Sequence, residues 1–170
     1  MRALEAMRSL DLPDCWIGAG FVRNAVWDHL HDYPMELAGK DVDVVWFDPA
    51  QANAALDLDF EARLAGLAPE LIWSVKNQAR MHVRNGDRSY SSVADAMTFW
   101  PETATAVGAR LTKAHQIEIN APFGLDDLFA LRLVPTASFA EQKRHIFDER
   151  IALKGWLIHY PKLTRGDAPL

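Results

Sequence analysis

Two aspartates separated by one residue, Asp41 and Asp43, are the side chains of this 170-residue sequence best placed to do chemistry. They lie in residues 40–48, where apolar and polar positions alternate as in a β-strand and stop at Asp48-Pro49. Side chains at i and i+2 of a strand leave the same face, with Cα atoms about 6.6–7 Å apart. Carboxylates this close repel each other, and a divalent ion such as Mg²⁺ (or Mn²⁺) relieves the repulsion.

The same pair has a second interpretation, in which the acids of an edge strand simply face water. Short acidic patterns arise often by chance, so the pair alone favours neither interpretation. Two metal ions about 3.5–4 Å apart can steady the attacking and leaving oxygens of phosphoryl transfer, and the pair suits that chemistry. A third carboxylate would help, but Asn77 carries no charge and no acid elsewhere is compelling. The acids considered for this role are Glu118, Asp95, Glu102 and Asp126.

A glycine-containing turn precedes the acidic strand. Residues 16–18 predict a short strand and residues 21–30 a helix, with Gly18-Ala19-Gly20 at the junction. Backbone N–H groups at the start of a helix attract anions, and Arg23 lies one turn inside, within reach of a phosphate. The sequence therefore predicts that Gly18, Ala19, Gly20 and Arg23 hold a triphosphate beside a metal bound to the acidic pair.

Further polar residues interrupt a predicted strand over residues 72–83. Alternation would place Lys76, Gln78 and Arg80 on one face of that strand. One hypothesis puts Lys76 or Arg80 near the triphosphate or the acceptor. The other is a structural network, because buried polar groups need hydrogen-bond partners.

These motifs resemble a known group of enzymes. Residues 17–24, I-G-A-G-F-V-R-N, resemble the G-G-x-V-R-D signature in the head domain of bacterial CCA-adding enzymes and poly(A) polymerases. Residues 40–45, K-D-V-D-V-V, resemble the K-D-x-D-h-h strand that follows it, and residues 120–128 resemble the D-P-F-G-G-x-x-D-L segment. The wider group is the DNA polymerase beta-like nucleotidyltransferase superfamily.

A more extensive resemblance is to small bacterial nucleotidyltransferase family proteins. Residues 75–82, V-K-N-Q-A-R-M-H, and residues 100–108, W-P-E-T-A-T-A-V-G, match runs of that family. The resemblance implies a nucleotidyltransferase fold, a bound metal and a nucleoside triphosphate substrate. Ala19 and Asn24 depart from the signature, which has glycine and aspartate there, and the R-R-D-F-T segment has no clear counterpart. The helical neck and body of CCA-adding enzymes are also missing, so we do not expect a complete enzyme of that kind.

The remaining pattern predicts an α/β (α+β) fold, a mixed central sheet with flanking helices, in a single domain over residues 1–170. Helices are predicted at residues 2–10, 51–67 and 139–153, the last with Ser138 as N-cap. Residues 107–111 and 116–120 predict a hairpin or two neighbouring strands. On the helix at 21–30, an apolar stripe is predicted from Phe21, Val22, Ala25, Val26 and His29.

Composition narrows the class of protein. Hydrophobic residues make up 49% of the chain, which is enough for a core, and the single cysteine, Cys15, excludes an internal disulfide. The formal charge of −5 argues against an extensive nucleic-acid surface. A run long enough to span a membrane and the apolar core of a signal peptide are both absent from the sequence, so we expect a cytoplasmic protein.

Three hypotheses of function follow. The first is a Mg²⁺-dependent nucleotidyltransferase that transfers a nucleoside monophosphate from a triphosphate to a hydroxyl of an unknown acceptor, which could be a small molecule, a protein or an RNA end. The second is a catalytically weak or inactive nucleotide-binding or interaction module with the same fold. The third, a phosphatase or nuclease, leaves the glycine turn and Arg23 without a role.

Overall fold

A five-stranded mixed sheet forms the centre of the fold. The computed structural model describes residues 1–34 and 41–167. The sheet contains β1 (Trp16–Gly18), β2 (Asp41–Trp46), β3 (Ile72–Asn77), β4 (Gly108–Leu111) and β5 (Ile117–Asn120). Their order is β3-β2-β1-β4-β5, in which β2 and β3 run parallel and the other neighbours antiparallel. This sheet confirms the predicted α/β (α+β) class, and the antiparallel β4–β5 pair confirms the predicted hairpin.

Helices flank the sheet, and a small parallel pair of strands, β6 (Arg132–Leu133) and β7 (Thr164–Arg165), lies outside it. The α-helices are α1 (Arg2–Arg8), α2 (Gly20–Leu30), α3 (Ala54–Leu67), α4 (Met81–Asn85), α5 (Val93–Met97), α6 (Asp126–Phe129), α7 (Ala137–Ala140), α8 (Arg144–Lys154) and α9 (Trp156–His159). In the described part of the chain, no helix has the length and apolar character needed to cross a membrane.

Strand β2 forms because its two faces have opposite characters. Val42 and Val44 are completely buried in a core that also contains Ile17 of β1 and Leu64 of α3. The other face of β2 begins with Asp41 and Asp43. The valines therefore anchor the strand in the core, and the two carboxylates leave its opposite face. Lys40, which precedes this strand in the K-D-x-D pattern, lies outside the described residues.

Helix α2 buries residues outside the predicted apolar stripe as well as part of it. Ala25 and His29 of the predicted apolar stripe are exposed, whereas Arg23 and Trp27 are buried. The reason is the C-terminal segment, whose Trp156 packs edge-on against Trp27. Phe21, Val22 and Val26 are partly buried against the core, so the stripe prediction was right for these three residues and wrong for Ala25 and His29.

The predicted strand at residues 72–83 is half as long as expected. Strand β3 ends at Asn77, whose side-chain oxygen accepts from the Ala79 N–H at 3.0 Å while its amide donates to the Asp48 carbonyl at 2.8 Å. This contact turns the chain into a 3₁₀ turn, Gln78–Arg80, followed by α4. The prediction that Lys76, Gln78 and Arg80 share one strand face was therefore wrong.

The predicted C-terminal helix at 139–153 is two helices. The chain leaves helical geometry at Glu141, where φ is −114° and ψ is −97°, and α8 begins at Arg144. Ser138 lies inside α7, and the N-cap position is Thr136, so the predicted cap was wrong. Lys143 fixes the start of the second helix, because its ammonium donates to Asp87 at 2.8 Å.

Candidate active site

The two carboxylates of β2 lie beside the middle of the sheet. Asp43 is directly opposite Gly18 of β1 on one side and Ser74 of β3 on the other. Asp41 is exposed and Asp43 is partly buried. Burial and the nearby charge of Asp41 raise the pKa of Asp43, while Lys154, Lys76 and Arg150 act in the opposite direction. The pair therefore carries repulsion that a bound cation would relieve.

The glycine turn lies next to this pair. Gly18 has little free space around it, because a Cβ there would lie 3.0 Å from Cη2 of Trp100. Ala19 follows with φ of 54° and ψ of −129°, a conformation that a residue with a Cβ rarely adopts. Helix α2 then begins at Gly20, and the first N–H groups of a helix have no partner within the helix. Gly20 lines one cavity with Asp41 and Asp43, so the start of α2 borders the space next to the carboxylates.

Arg23 lies under the turn and is held firmly. Its Nε and Nη2 donate to the side-chain oxygen of Asn24 at 3.1 and 2.8 Å, and its Nη1 donates to the Thr105 hydroxyl at 2.8 Å. The guanidinium carbon is 4.7 Å from the ring centre of Trp27 and 4.3 Å from that of Trp156. Burial lowers the pKa of Arg23 to about 10, so the group remains charged at neutral pH. Asn24, a departure from the signature, still fixes the guanidinium through its neutral amide.

Two cations from α8 complete the site, and the sequence did not reveal them. Arg150 and Lys154 line the same cavity as the acidic pair. Arg150 is oriented by Glu102, which is completely buried and accepts from Arg150 Nε at 2.8 Å. Their spacing of four residues puts both on one helix face, which is the signal the sequence offered. The spacing alone could not show that this helix face turns toward β2, because the orientation of α8 depends on the path of the whole C-terminal segment.

Of the other two predicted phosphate ligands, Lys76 lines a cavity next to Asp43 and Arg80 does not. Lys76 lines a second cavity beside Asp43, and its ammonium donates to Glu61 at 2.8 Å. Arg80 is absent from the lining of both cavities and forms an ion pair with Asp57, a buried carboxylate. Asp57 also accepts from Trp46 Nε1 at 2.9 Å, so Arg80 takes part in a structural network.

The acids considered as a third carboxylate do not join the pair. In the described residues, no group of three or more acidic, histidine or cysteine side chains could hold a metal ion. Glu118 is paired with Arg110, and Asp126 is exposed. Asp95 is paired with Arg88, whose hydrogen bonds lower the pKa of Asp95 to about 2. The position directly opposite Asp43 on the neighbouring parallel strand is occupied by a hydroxyl, that of Ser74.

Two cavities meet at Asp43. The first, of about 280 Å³, lies above the glycine turn. Its lining includes Gly20, Arg23, Asp41, Asp43, Arg150 and Lys154. The second, of about 250 Å³, lies on the β3 side. Its lining includes Ser74, Lys76, Gln78, Met81, Asn85 and Trp100. Ala19, Asp43 and Arg150 border both cavities, so a group bound in either is close to the same carboxylate.

Comparison with known proteins identifies the family. A family model described as Nucleotidyltransferase matches residues 5–165. The chain belongs to this nucleotidyltransferase family. The chain is also 33% identical to a protein whose NMR structure reveals a CCA-adding enzyme head domain, with a TM-score of 0.84 over 98% of this chain and 88% of that one. The resemblance inferred from the motifs is thereby confirmed.

Larger enzymes share the fold of this chain. The Thermotoga maritima CCA-adding enzyme complexed with tRNA is 15% identical, with a TM-score of 0.54 over 96% of this chain and 37% of that one. A CCA-adding enzyme in complex with CTP is 14% identical, with a TM-score of 0.51 over 92% of this chain and 43% of that one. The chain thus spans about two fifths of these enzymes, and the likeness shows the fold alone. No curated protein sequence matches the chain.

Proposed function

We propose that this protein transfers a nucleoside monophosphate from a nucleoside triphosphate to an acceptor hydroxyl and releases pyrophosphate, with Mg²⁺ (or Mn²⁺) held by Asp41 and Asp43. One observation carries the proposal. The acidic pair of β2 and the start of α2 line a single cavity, so metal ligands and anion-binding N–H groups face the same space.

The residues present fit a hard divalent cation. Both carboxylates offer oxygen ligands, which Mg²⁺ prefers. Burial and the neighbouring Asp41 raise the pKa of Asp43, so the site favours added positive charge. A bound divalent ion would supply charge neutralisation to the phosphate oxygens during transfer.

Several groups of the protein would bind the triphosphate together. The N–H groups at the start of α2 donate to phosphate oxygens, and Arg150 and Lys154 offset the charge from the α8 side. The Arg23 guanidinium is engaged by Asn24 and Thr105, so its contribution is a fixed positive charge behind the turn. The acceptor oxygen forms a bond to the α-phosphorus, the bond to the bridging oxygen breaks, its electron pair leaves with pyrophosphate, and the hydroxyl proton passes to solvent.

Substitution of the acidic pair tests this proposal. Asp41→Asn and Asp43→Asn should fold normally by circular dichroism and lose Mg²⁺-dependent nucleotide binding in calorimetry, together with pyrophosphate release. Asp59→Asn, which removes one exposed carboxylate of α3, is the matched control and should behave as the wild type. Retention of Mg²⁺-dependent transfer in both site variants would refute the proposal.

A second candidate function has its own support. The hydroxyl of Ser74 opposite Asp43 and the unfavourable backbone of Ala19 favour a module that binds nucleotide with little turnover. Calorimetric titration of each nucleoside triphosphate with Mg²⁺, paired with a pyrophosphate-release assay, separates the two functions. Binding without pyrophosphate release for every acceptor class would favour the second. Acceptor-independent hydrolysis of a phosphodiester would instead support the phosphatase or nuclease hypothesis.

The similar structures indicate which substrates to assay first. Two of them are complexes with CTP and with tRNA, respectively. CTP and the 3′ end of an RNA are therefore the first nucleotide and the first macromolecular acceptor to test here.

A further inference from the structure

The second cavity lies where an attacking group would be needed. It meets the first cavity at Ala19, Asp43 and Arg150. In phosphoryl transfer the attacking and leaving oxygens lie roughly in line on opposite sides of the phosphorus. With the triphosphate over the glycine turn in the first cavity, a hydroxyl in the second approaches from the other side of Asp43. This reasoning rests on the proposed transferase function.

The cations of the second cavity are already paired. Lys76 donates to Glu61 at 2.8 Å, and Arg150 donates to Glu102 at 2.8 Å. Proteins that bind polynucleotides neutralise backbone phosphates with lysine and arginine charges that water and counterions otherwise balance. Glu61 balances Lys76, and Arg150 is assigned to the triphosphate, so the described lining of this cavity offers no further cation to a phosphate group of the acceptor. The cavity therefore favours an uncharged acceptor over one that carries phosphate.

Apart from Asp43, neutral hydrogen-bonding groups make up the rest of its polar lining. They are the hydroxyls of Ser74 and Thr105 and the amides of Gln78 and Asn85. The Gln78 amide donates to the Lys76 carbonyl at 3.1 Å, and the Asn85 amide donates to the Tyr90 hydroxyl at 3.2 Å. These bonds fix both amides through their N–H groups, and the amide oxygens can accept from hydroxyl groups of a ligand.

A rigid aromatic wall faces these groups. The Trp100 ring packs directly on β1, since a Cβ on Gly18 would come within 3.0 Å of it. The Trp100 carbonyl accepts from the Thr136 hydroxyl at 2.7 Å, which fixes the backbone beneath the ring. A flat apolar surface beside fixed amides and a hydroxyl suits a sugar or cyclic polyol, whose ring has an apolar C–H face and a rim of hydroxyls.

We propose that the second cavity binds the acceptor, and that the acceptor is an uncharged sugar or cyclic polyol of monosaccharide size. The volume of about 250 Å³ is just below the range of about 300–1,000 Å³ for pockets that hold drug-sized ligands. One ring hydroxyl attacks the α-phosphorus, pyrophosphate leaves with the electron pair of the broken bond, and the product is a nucleoside monophosphate ester of the polyol.

Direct binding and transfer test this proposal. The probes are D-glucose, D-galactose and myo-inositol, with glucose 6-phosphate and a short RNA as alternatives, each with the four nucleoside triphosphates and Mg²⁺. Saturation-transfer NMR reports polyol binding, and mass spectrometry reports the nucleotidylated product. We expect at least one neutral polyol to bind when its concentration is about 20 mM or lower, which corresponds to a Kd in roughly the millimolar range. We expect the same polyol to be nucleotidylated.

Substitutions in the lining test whether the polyol binds in the second cavity. Trp100→Leu and Gln78→Leu should each raise the polyol KM by about tenfold, as expected for the loss of about 1.4 kcal/mol, while calorimetric affinity for the nucleotide stays within about twofold. Phe99→Leu is the matched control, because this neighbouring aromatic does not line the cavity and packs near Tyr90 instead. If Trp100→Leu does not fold, Gln78→Leu carries the test alone.

Several results would overturn the proposal. They are transfer only to the RNA 3′ end, tighter binding of glucose 6-phosphate than of glucose, or no polyol binding in a protein that binds nucleotide with Mg²⁺. A loss of nucleotide affinity in Trp100→Leu would place the base in this cavity and also overturn it. Failure of the proposed transferase function can be told apart from failure of the acceptor proposal. In the first case the wild type would show no Mg²⁺-dependent nucleotide binding in the same titrations.

Discussion

Replacement of Asp43 by asparagine should stabilise the metal-free protein. Asp41 and Asp43 leave one face of β2, and burial and the Asp41 charge raise the pKa of Asp43. Two unit charges about 7 Å apart repel by about 0.6 kcal/mol at a dielectric constant of 80 and by about 2.4 kcal/mol at 20. Because Asp41 is exposed and cations of α8 lie nearby, we expect the lower half of this range, about 1 kcal/mol. For a chain of this size that corresponds to a rise in Tm of about 2–4 °C.

The effect should depend on pH in a defined direction. A carboxyl whose pKa is raised in the folded state stabilises that state while protonated, and the stabilisation is lost as pH rises through the folded pKa. The advantage of Asp43→Asn should therefore be absent below the pKa of the unfolded aspartate, about 3.9, and complete at neutral pH. Thermal unfolding in EDTA between pH 3.5 and 7, followed by circular dichroism, measures it. Asp59→Asn, which removes an exposed charge from α3, should change Tm little.

Magnesium should reverse the comparison. An ion present at ten times its Kd stabilises the folded state by about 1.4 kcal/mol, and only the wild type should gain this. A variant that is no more stable than the wild type in EDTA at pH 7 would refute the reasoning. It would mean that attraction from Arg150 and Lys154 outweighs the repulsion of the pair. An equal gain from Mg²⁺ in both proteins would show that the ion binds elsewhere.

Four further substitutions test the turn and the sheet beside it. Ala19→Gly should stabilise the protein by about 0.5–2 kcal/mol in urea unfolding, because relief of the positive φ exceeds the entropy cost of glycine; destabilisation would refute the strain. Gly18→Ala should lower the free energy of unfolding by about 1–3 kcal/mol, because the new Cβ would press on the Trp100 ring. Gly20→Ala should be nearly neutral, because its Cβ meets nothing closer than 3.5 Å. Equal effects of the two substitutions on stability would contradict this geometry. Ser74→Asp should increase Mg²⁺ affinity about tenfold in calorimetry, since a third carboxylate then faces the pair; unchanged affinity would show that this face is too distant.

Strand β2 and the glycine turn could be predicted because their signals are local. The alternation around Val42 and Val44 requires only that one face be buried, and both valines are. Five tryptophans at apolar-periodic positions predict core packing, and four of them, Trp27, Trp46, Trp73 and Trp156, are buried, whereas the fifth, Trp100, is partly buried. The family signatures added the order of turn, helix and acidic strand. Together these signals located the acidic pair and the helix start that lie in one cavity.

The parts that were missed depend on contacts between distant residues. Arg150 and Lys154 reach the cavity only because the segment after α6 returns across α2, which no periodicity shows. The same return buries Arg23 against Trp156, a contact that the prediction of a phosphate ligand one turn inside the helix did not include. Strand β3 ends at Asn77 because a side-chain amide competes with the strand for backbone partners, and alternation alone does not register such competition.

Several locally unfavourable features of this fold lie together at the candidate site. Ala19 has a positive φ, Asp43 is repelled by its neighbour, and Glu102 keeps its Oε2 buried without a partner among the described residues. Arg23 is a buried cation whose hydrogen-bond acceptors are neutral. Local inconsistencies that lie together are expected at functional sites, because a marginally stable domain has little free energy to spare for them. A cation on the carboxylates and an anion over the turn would relieve the two electrostatic costs together, which is the charge pattern of a metal-bound triphosphate.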